Sequence, residues 1–256
     1  MISPISFVQF KSLCLKEAET TPRHDHTYLA KCIGRFYETY RTCLRFLPDN
    51  AGVLSVGAGG AYVERILAIA HGARLTVVDF PRAIERLGEE YERLGFMTLG
   101  CDLAGEWGIE NVDAFDLVLS CEVLEHLPIS PYDHFRALRR YLKPGAVLIV
   151  TTPNLSSFQN IIRLMKGRSI LPPAAEVFGP VNYGHEHIHR RIYTAEEVRC
   201  DMRKSGVVPV LTIYFVERGY NRVGLREWVS LAAEMIVPKW REQLIIAGRT
   251  EGNVCG

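Results

Sequence analysis

Short apolar runs alternate with segments of helical periodicity along the chain, and this alternation limits the fold more than any other feature. The clearest runs are Val53–Val56, Leu75–Val78, Phe115–Leu119 and Ala146–Thr151. Runs of this length are typical of strands that are buried on both faces. Helices between such strands require right-handed crossovers and a parallel sheet. The sequence therefore predicts an α/β fold with a doubly wound, mostly parallel sheet.

Two helices between these strands carry strong boundary signals. Ser130 is suited to be an N-cap and Pro131 to be the first helical residue. We expect this helix to bury Leu142 among its apolar residues and to stop at residues 143–145. The capping-box pattern at Thr194–Glu197 predicts the start of a later helix.

Two regions depart from the alternation and suggest the domain organisation. Residues 1–48 contain helix signals near 7–18 and 26–46 and are predicted to form an N-terminal helical cap on a domain spanning 49–256. Residues 153–193 form a connection longer than ordinary loops, which predicts an insertion on the substrate side. The C-terminal part is predicted to add a strand at Val207–Phe215, a helix near 223–236 and a last strand at Gln243–Gly248.

Composition excludes several classes of protein. The 256 residues are 48% apolar, and 30 basic against 29 acidic side chains leave a net charge of +1. A neutral chain has no overall field that attracts nucleic acid, so such a partner is not expected. The seven cysteines form no C-x-x-C pair, which favours reduced thiols. With neither a targeting segment nor an apolar run of membrane-spanning length evident, the expectation is a cytoplasmic protein.

A glycine turn follows the first predicted strand. Residues 53–61 read Val-Leu-Ser-Val-Gly-Ala-Gly-Gly-Ala, so that Gly57, Ala58 and Gly59 connect a strand to a helix N-terminus. Such a turn lets the backbone approach a ligand closely and presents free N–H groups. The dinucleotide form of the motif needs a third glycine where this chain has Tyr62. The turn alone is as consistent with a plain strand-to-helix connection as with a ligand site, and Tyr62 disfavours NAD or FAD.

Acidic residues follow the next two strands. Asp79, with Phe80 beside it, ends the second strand, and Asp102-Leu103 follows the predicted third strand. Each acid alone is more often a loop or capping residue. Because the carboxyl ends of parallel strands share one sheet edge, the glycine turn and both acids are expected to line a single ligand site.

With these residues in place, the chain resembles the class I S-adenosylmethionine-dependent methyltransferases, within them the ubiquinone-biosynthesis-like O-methyltransferase branch. The likeness covers roughly residues 50–205. It includes the run Phe115–Leu127 and the segment 142–145 leading to 152–154. The family usually has an acidic residue where this chain has Ser55.

The resemblance implies a seven-stranded sheet with an antiparallel last strand and S-adenosylmethionine as cofactor. It also implies the residues that hold this cofactor. The methionine part would lie beside Gly57, Ala58 and Gly59, the ribose at Asp79 and Phe80, the adenine at Asp102 and Leu103, and the sulfonium near Ser120 and Cys121.

A pentad of acids and histidine follows the fourth strand. If Glu122–His126 forms one helical turn, Glu122, Glu125 and His126 share a face and could bind a cation or move a proton. The plain alternative is a carboxylate that caps backbone amides beside a structural histidine.

The predicted insertion contains His185, His187 and His189 in a polar stretch that could equally be a solvated loop. Certain small-RNA 2′-O-methyltransferases are similar in using a Glu-x-x-Glu-His segment with a distant histidine to hold magnesium. This likeness implies Glu122, Glu125, His126 and His189 as ligands of a divalent cation such as magnesium. Metal-free general-base catalysis by His126, His187 or His189 is the alternative.

The predicted reaction is O-methylation of a hydroxyl on a small metabolite or on a sugar- or lipid-linked acceptor. The alternatives are an RNA 2′-O-methyltransferase, a non-catalytic S-adenosylmethionine-binding protein and an NAD-linked oxidoreductase. Residues Ser156–Lys166 have an apolar helical face with basic neighbours. This segment is interpreted as a packed lid helix, or as a peripheral contact with a membrane or lipid-like acceptor.

Overall fold

The computed structural model describes residues 4–19, 26–105, 107–109, 114–173, 188–217 and 228–251. Its strands are β1 Gly52–Val56, β2 Arg74–Asp79, β3 Met97–Gly100, β4 Phe115–Cys121, β5 Leu142–Pro153, β6 Val207–Phe215 and β7 Gln243–Thr250. Its helices are α1 Phe7–Glu19, α2 His26–Cys43, α3 Tyr62–His71, α4 Pro81–Arg93, α5 Pro131–Arg139, α6 Phe158–Met165, α7 Ala195–Lys204 and α8 Trp228–Ile236.

The seven strands form one sheet in the order β3-β2-β1-β4-β5-β7-β6. Strands β1 to β5 are parallel where they pair, and β7 runs antiparallel between β5 and β6. The predicted doubly wound sheet with an antiparallel last strand is therefore confirmed. The strand order reverses direction at β1 and β4, which is where ligands bind in sheets of this kind.

Each face of the sheet buries its own apolar layer. Alternate residues of β1 point to opposite faces, so Val53 joins the layer under α1 to α4, whereas Leu54 joins the layer under α5 and α7. Helices α1 and α2 contribute fully buried side chains such as Phe10 and Tyr40 to the first layer. The two N-terminal helices are thus packed into the main core.

Both predicted helix starts have the expected capping contacts. The Ser130 hydroxyl accepts the Asp133 N–H at 3.1 Å. At α7 the Thr194 hydroxyl accepts the Glu197 N–H, and the Glu197 carboxylate accepts the Thr194 N–H at 2.9 Å. Two local side chain–backbone contacts therefore fix where α5 and α7 begin.

The predicted end of α5 is wrong. The helix ends at Arg139, and Leu142 begins strand β5 instead of closing the helix. The Tyr141 carbonyl accepts the N–H groups of Ala114 and Phe115, and Leu142 pairs with Phe115. Pairing with β4 therefore takes over two residues that helical spacing alone assigns to α5. Residues 143–145 lie within β5, where Gly145 has φ +79°.

Two further expectations concern cysteines and membranes. Of the described cysteines, Cys14, Cys32, Cys43, Cys101, Cys121 and Cys200 are all free thiols. Among the described residues, no helix combines the length and hydropathy that crossing a bilayer requires.

Candidate active site

The glycine turn lies tightly against the segment that follows β4. Gly57 and Gly59 both have left-handed backbones, with φ of +66° and +53°. The Gly57 N–H donates to the Val78 carbonyl at 2.8 Å. A Cβ at Gly57 would lie 2.5 Å from Val123 Cγ2, whereas a Cβ at Gly59 would have no atom within 4 Å. Gly57 is therefore required by packing, and Gly59 faces open space on the ligand side of the turn.

The acid at the end of β2 contacts this turn directly. Asp79 Oδ2 accepts the Gly59 N–H at 3.2 Å, and Asp79 Oδ1 accepts the N–H of Phe80 at 2.8 Å. The Tyr91 hydroxyl donates to the Gly59 carbonyl and holds the turn from α4. The aspartate and the glycine turn, predicted separately from the sequence, are thus brought together.

The residues after β3 complete this half of the edge. Leu103 is buried, and its Cδ1 atom lies 3.6 Å from the position of a Cβ on Gly57. Asp102 is exposed, and its carboxylate accepts the Ala104 N–H at 3.0 Å. Half-buried Ala58 and Phe80 also belong to this half of the site.

A buried carboxylate contacts the serine in β1. The Ser55 hydroxyl donates to Glu64 Oε1 at 2.5 Å, and Glu64 lies in the first turn of α3. Burial raises the pKa of the Glu64 carboxyl above its usual value. A carboxylate from nine residues further along the chain therefore lies against the Ser55 side chain.

A serine–histidine pair lies below the end of β4. Val56 is the register partner of Ser120, so the glycine turn and the Ser120-Cys121 step are neighbours. The Ser120 hydroxyl is hydrogen-bonded to His134 Nε2 at 2.9 Å, and both residues are fully buried. Burial lowers the pKa of His134 to about 4, so its imidazole is neutral in the folded chain.

The predicted helical turn at Glu122–His126 is wrong at its first residue. Glu122 has φ +56°, and only Leu124–His126 forms a short 3₁₀ turn. Glu122 and Glu125 therefore do not share a helical face. The Glu122 carboxylate accepts hydrogen bonds from Arg35 at 2.8 Å and from the Thr151 hydroxyl at 2.9 Å. Non-glycine residues in this backbone region are uncommon and are concentrated at functional sites.

Arg35 joins helix α2 to the site. Its guanidinium is 7% exposed, donates to the Tyr28 hydroxyl at 2.6 Å and lies 3.8 Å from Glu217 Oε1. Burial by itself would lower the pKa of Arg35. The charges of Glu122 and Glu217 outweigh this effect and hold the pKa above its usual value. The cation is therefore permanent and is compensated by carboxylates from two separate parts of the chain.

Three of the four predicted metal ligands do come together. One ligand atom from each of Glu125, His126 and His189 lies within 4.8 Å of the others. His126 Nε2 lies 3.8 Å from Glu125 Oε1, and the two imidazole rings meet edge to face at 4.8 Å. The fourth predicted ligand, Glu122, is bound to Arg35 instead. His185 and His187 lie outside the described residues.

The buried carboxylate in this cluster has one oxygen without a hydrogen bond. Glu125 is fully buried; its Oε2 accepts the Thr152 hydroxyl at 2.9 Å, and its Oε1 has no hydrogen-bond partner. Burial and the nearby charge of Glu122 raise the pKa of Glu125 well above its usual value. His126 Nδ1 is 3.1 Å from the Ile188 carbonyl, so the ring donates there and leaves Nε2 as an acceptor.

A polar cavity lies at the end of β5 and the start of β7. It has a volume of about 320 Å³. Two buried oxygens in its lining, Glu217 Oε1 and Gln243 Oε1, have no hydrogen-bond partner. Its other lining side chains include Lys31, Asn154, Ser157, Asn160 and Glu242. The cavity therefore offers unused hydrogen-bonding capacity to a polar ligand.

Several site residues could not be found from sequence patterns. Arg35 and Glu217 lie in helical and strand-end segments without a recognisable motif. Arg35 is far away in the chain from both of its carboxylate partners, Glu122 and Glu217. Glu64 gives the one usable signal, because it is an acid in the first turn of α3, shortly after the unexpected Ser55. His134 and Gln243 gave no signal of a role.

The buried Ser120–His134 pair predicts a dependence of stability on pH. The unfolded chain protonates His134 near pH 6.5, whereas the folded chain protonates it near pH 4. The contribution of neutral His134 to the free energy of unfolding is therefore complete above pH 6.5 and is lost as the pH falls through 4. From the difference in pKa we expect a loss of about 3 kcal/mol. Urea unfolding of the wild type and of His134→Gln between pH 6.5 and pH 4 measures this loss in the free energy of unfolding. A stability difference between the two proteins that does not change with pH would contradict the assignment.

Comparisons with known proteins agree with this geometry. A family model described as "Methyltransferase domain" matches residues 27–211. Two curated relatives are ubiquinone biosynthesis O-methyltransferases. The one from Xanthomonas axonopodis is 31% identical over 43% of this chain and 46% of its own length. The one from Pseudomonas paraeruginosa is 27% identical over 54% of this chain and 56% of its own length. The chain thus spans about half the length of these relatives.

Solved structures share the fold at low identity. The match to a 1,6-didemethyltoxoflavin-N1-methyltransferase from Burkholderia thailandensis covers 98% of this chain and 93% of that protein, with a TM-score of 0.56 and 15% identity. The match to phosphoethanolamine N-methyltransferase 2 from Haemonchus contortus covers 97% of this chain and 61% of that protein, also with a TM-score of 0.56 and 15% identity. Since the family model matches well over half of the chain, the protein belongs to the methyltransferase-domain family.

Proposed function

We propose that the chain transfers the methyl group of S-adenosylmethionine to a hydroxyl of a small or headgroup-bearing acceptor. One observation carries the proposal. The register of β1 and β4 places the glycine turn, with Asp79 bound to it, beside the Glu122–His126 segment. The glycine turn with Asp79, which we call the cofactor half, and the Glu122–His126 segment, which we call the acceptor half, therefore meet at one edge of the sheet.

The chemistry of the cofactor half suits an adenosyl compound. Gly59 has open space where a side chain would otherwise stand, so a ligand can approach the backbone. Asp79 is held at the turn by two backbone N–H groups and retains acceptor capacity for a pair of ribose hydroxyls. Leu103 supplies an apolar surface next to the turn, and Asp102 supplies a carboxylate for an adenine amino group.

The sulfonium of S-adenosylmethionine supplies a methyl group that is already activated. The protein then has to position a nucleophile, and orientation alone can contribute about 7–11 kcal/mol to such a reaction. Arg35 and Thr151 fix the Glu122 carboxylate directly after β4, and His134 fixes the Ser120 hydroxyl below it. Glu122 is thus held by contacts from two other elements, α2 and β5, and α5 holds the neighbouring Ser120, which makes this part of the site rigid.

The acceptor half suits a hydroxyl. Glu125 and His126 hold a proton acceptor next to His189, and a hydroxyl must lose its proton as its oxygen takes up the methyl group. The curated relatives named as O-methyltransferases support the same acceptor atom. The fold leaves the atom open, since two structural neighbours are N-methyltransferases. The polar cavity favours an acceptor with several hydrogen-bonding groups.

Replacing Asp79 by Asn tests the cofactor half. Asn keeps the size and one acceptor oxygen but removes the charge, and charge-assisted hydrogen bonds contribute about 1.5–3 kcal/mol. We therefore expect the affinity for S-adenosylhomocysteine, measured by equilibrium dialysis, to fall at least about tenfold. Asp133→Asn, in the first turn of α5, is the matched control and should bind like the wild type. Equal affinity of all three proteins would rule out the assigned role of Asp79.

A cation-assisted form of the reaction is the second candidate, favoured by the unpartnered Glu125 Oε1 atom. A buried carboxylate oxygen aimed at two imidazoles is a donor set typical of transition-metal cations, whereas magnesium prefers oxygen ligands. The bond from His126 Nδ1 to the Ile188 carbonyl orients the ring as in known metal sites. A cation here would lower the pKa of the acceptor hydroxyl.

Metal titration of chelator-treated protein tests this second candidate. We expect the wild type to bind one Mn²⁺ or Zn²⁺ per chain. Glu125→Gln should weaken that affinity at least about tenfold because it removes the charged ligand. Glu196→Gln, at an exposed carboxylate in α7, is the control and should retain the affinity. Wild-type protein that binds no cation and keeps full activity in chelator would leave metal-free proton transfer as the mechanism.

A further inference from the structure

The polar cavity at the end of β5 contains two buried oxygen atoms that lack partners. Within the described residues, Glu217 Oε1 and Gln243 Oε1 accept no hydrogen bond. Gln243 is only 7% exposed, and both residues line the cavity. Leaving a buried polar atom unsatisfied is costly, so two such atoms in one cavity indicate a ligand that donates hydrogen bonds.

The orientation of the Gln243 amide is set by Glu217. Gln243 Nε2 lies 3.5 Å from Glu217 Oε2, and the reverse orientation would bring two acceptor oxygens together. The amide oxygen is therefore the end of Gln243 that remains for a ligand. Since both unpartnered atoms are acceptors, a group that binds between them must supply an N–H or O–H donor to each.

The charges around the cavity favour a cationic donor. Its charged lining residues are Lys31, Glu217 and Glu242. Lys31 is exposed to solvent, whereas the Glu217 side chain is only 16% exposed and its charge is less screened. The Arg35 guanidinium is hydrogen-bonded to Glu122 and compensates Glu217 only in part, from 3.8 Å. An ammonium group has a positive charge, three donors and no acceptor, and it matches this lining better than a hydroxyl does.

The cavity is linked to the acceptor half by two features. A single nitrogen of Arg35, Nη1, lies 2.8 Å from Glu122 Oε2 and 3.8 Å from Glu217 Oε1. Thr152 of β5 donates to Glu125, and the strand continues from there into the lining of the cavity. A group bound to Glu217 is therefore separated from the Glu122 carboxylate by one guanidinium.

We propose that this cavity anchors the acceptor by a primary ammonium group, which donates to Glu217 Oε1 and Gln243 Oε1. Its volume of about 320 Å³ is near the lower end of the range for small-molecule sites and suits a compact polar group. Resting on the proposed function, the anchor identifies the acceptor class as amino alcohols, including amino sugars. The hydroxyl takes the methyl group, while the protonated nitrogen has no lone pair and stays unmethylated.

Three small probes of similar size test the anchor. Ethanolamine carries an ammonium group where ethylene glycol carries a second hydroxyl and glycolate a carboxylate. We expect the full chain, saturated with S-adenosylhomocysteine, to bind ethanolamine at least about tenfold more tightly than ethylene glycol, because hydrogen bonds between charged groups are the stronger ones. Glycolate should bind most weakly. Ligand-observed magnetic resonance titrations measure these affinities. Equal affinities for ethanolamine and ethylene glycol, or a preference for glycolate, would overturn the proposal.

Replacing Glu217 by Gln tests where the ammonium group binds. Glu217→Gln keeps the size and one acceptor oxygen but removes the charge, so ethanolamine should bind about as weakly as ethylene glycol. Glu196→Gln, which neutralises an exposed carboxylate in α7, is the matched control and should keep the preference for ethanolamine. A preference that persists in Glu217→Gln would place the ammonium group elsewhere and overturn the proposal.

The affinity for S-adenosylhomocysteine separates a failure of the anchor from a failure of the proposed function. It should be the same in both variants as in the wild type, which shows that they are folded. Titrations of the probes without S-adenosylhomocysteine keep the anchor measurable, so ethanolamine binding by a protein that binds no adenosyl compound would support the anchor and contradict the proposed function. With S-adenosylmethionine present, methyl transfer to the nitrogen of ethanolamine instead of its oxygen would overturn the anchoring role.

Discussion

The close packing of Gly57 against Val123 is the constraint on which the site depends. Strand β1 lies between β2 and β4, and the chain must turn directly after Val56 without touching the segment that leaves β4. Only a residue without a side chain, in a left-handed backbone, meets that requirement. Because the turn is fixed there, the Gly59 N–H reaches Asp79, and the turn lies beside the ends of β2 and β4.

A buried cation stabilises the other half of the edge. Arg35 comes from a helix near the N-terminus and compensates Glu122 after β4 and Glu217 after β6. Removing one partner of a buried pair is costly, because the remaining charge stays buried without compensation. The helices before β1 thus have a structural role in the site beyond covering the sheet. The same arrangement explains why Glu122 is excluded from the Glu125–His126–His189 cluster.

Local physics explains which features could be predicted from the sequence. The strands, the glycine turn, Asp79 and the caps at Ser130 and Thr194 depend on residues close together in the chain, so their patterns were sufficient. The end of α5 and the conformation of Glu122 depend on pairing with distant segments, and there helical spacing was misleading. Arg35 and Glu122 are 87 positions apart, and no local pattern indicates such a contact.

Calorimetric titration of the unmodified protein tests the central claim most directly. If the ends of β1, β2 and β3 form an adenosyl site, S-adenosylmethionine and S-adenosylhomocysteine should each bind at one site per chain and compete with each other. NAD should produce no heat, since Tyr62 occupies the position that a dinucleotide site reserves for glycine. Absence of binding by both adenosyl compounds at millimolar concentration, or saturable binding of NAD in their place, would contradict the account.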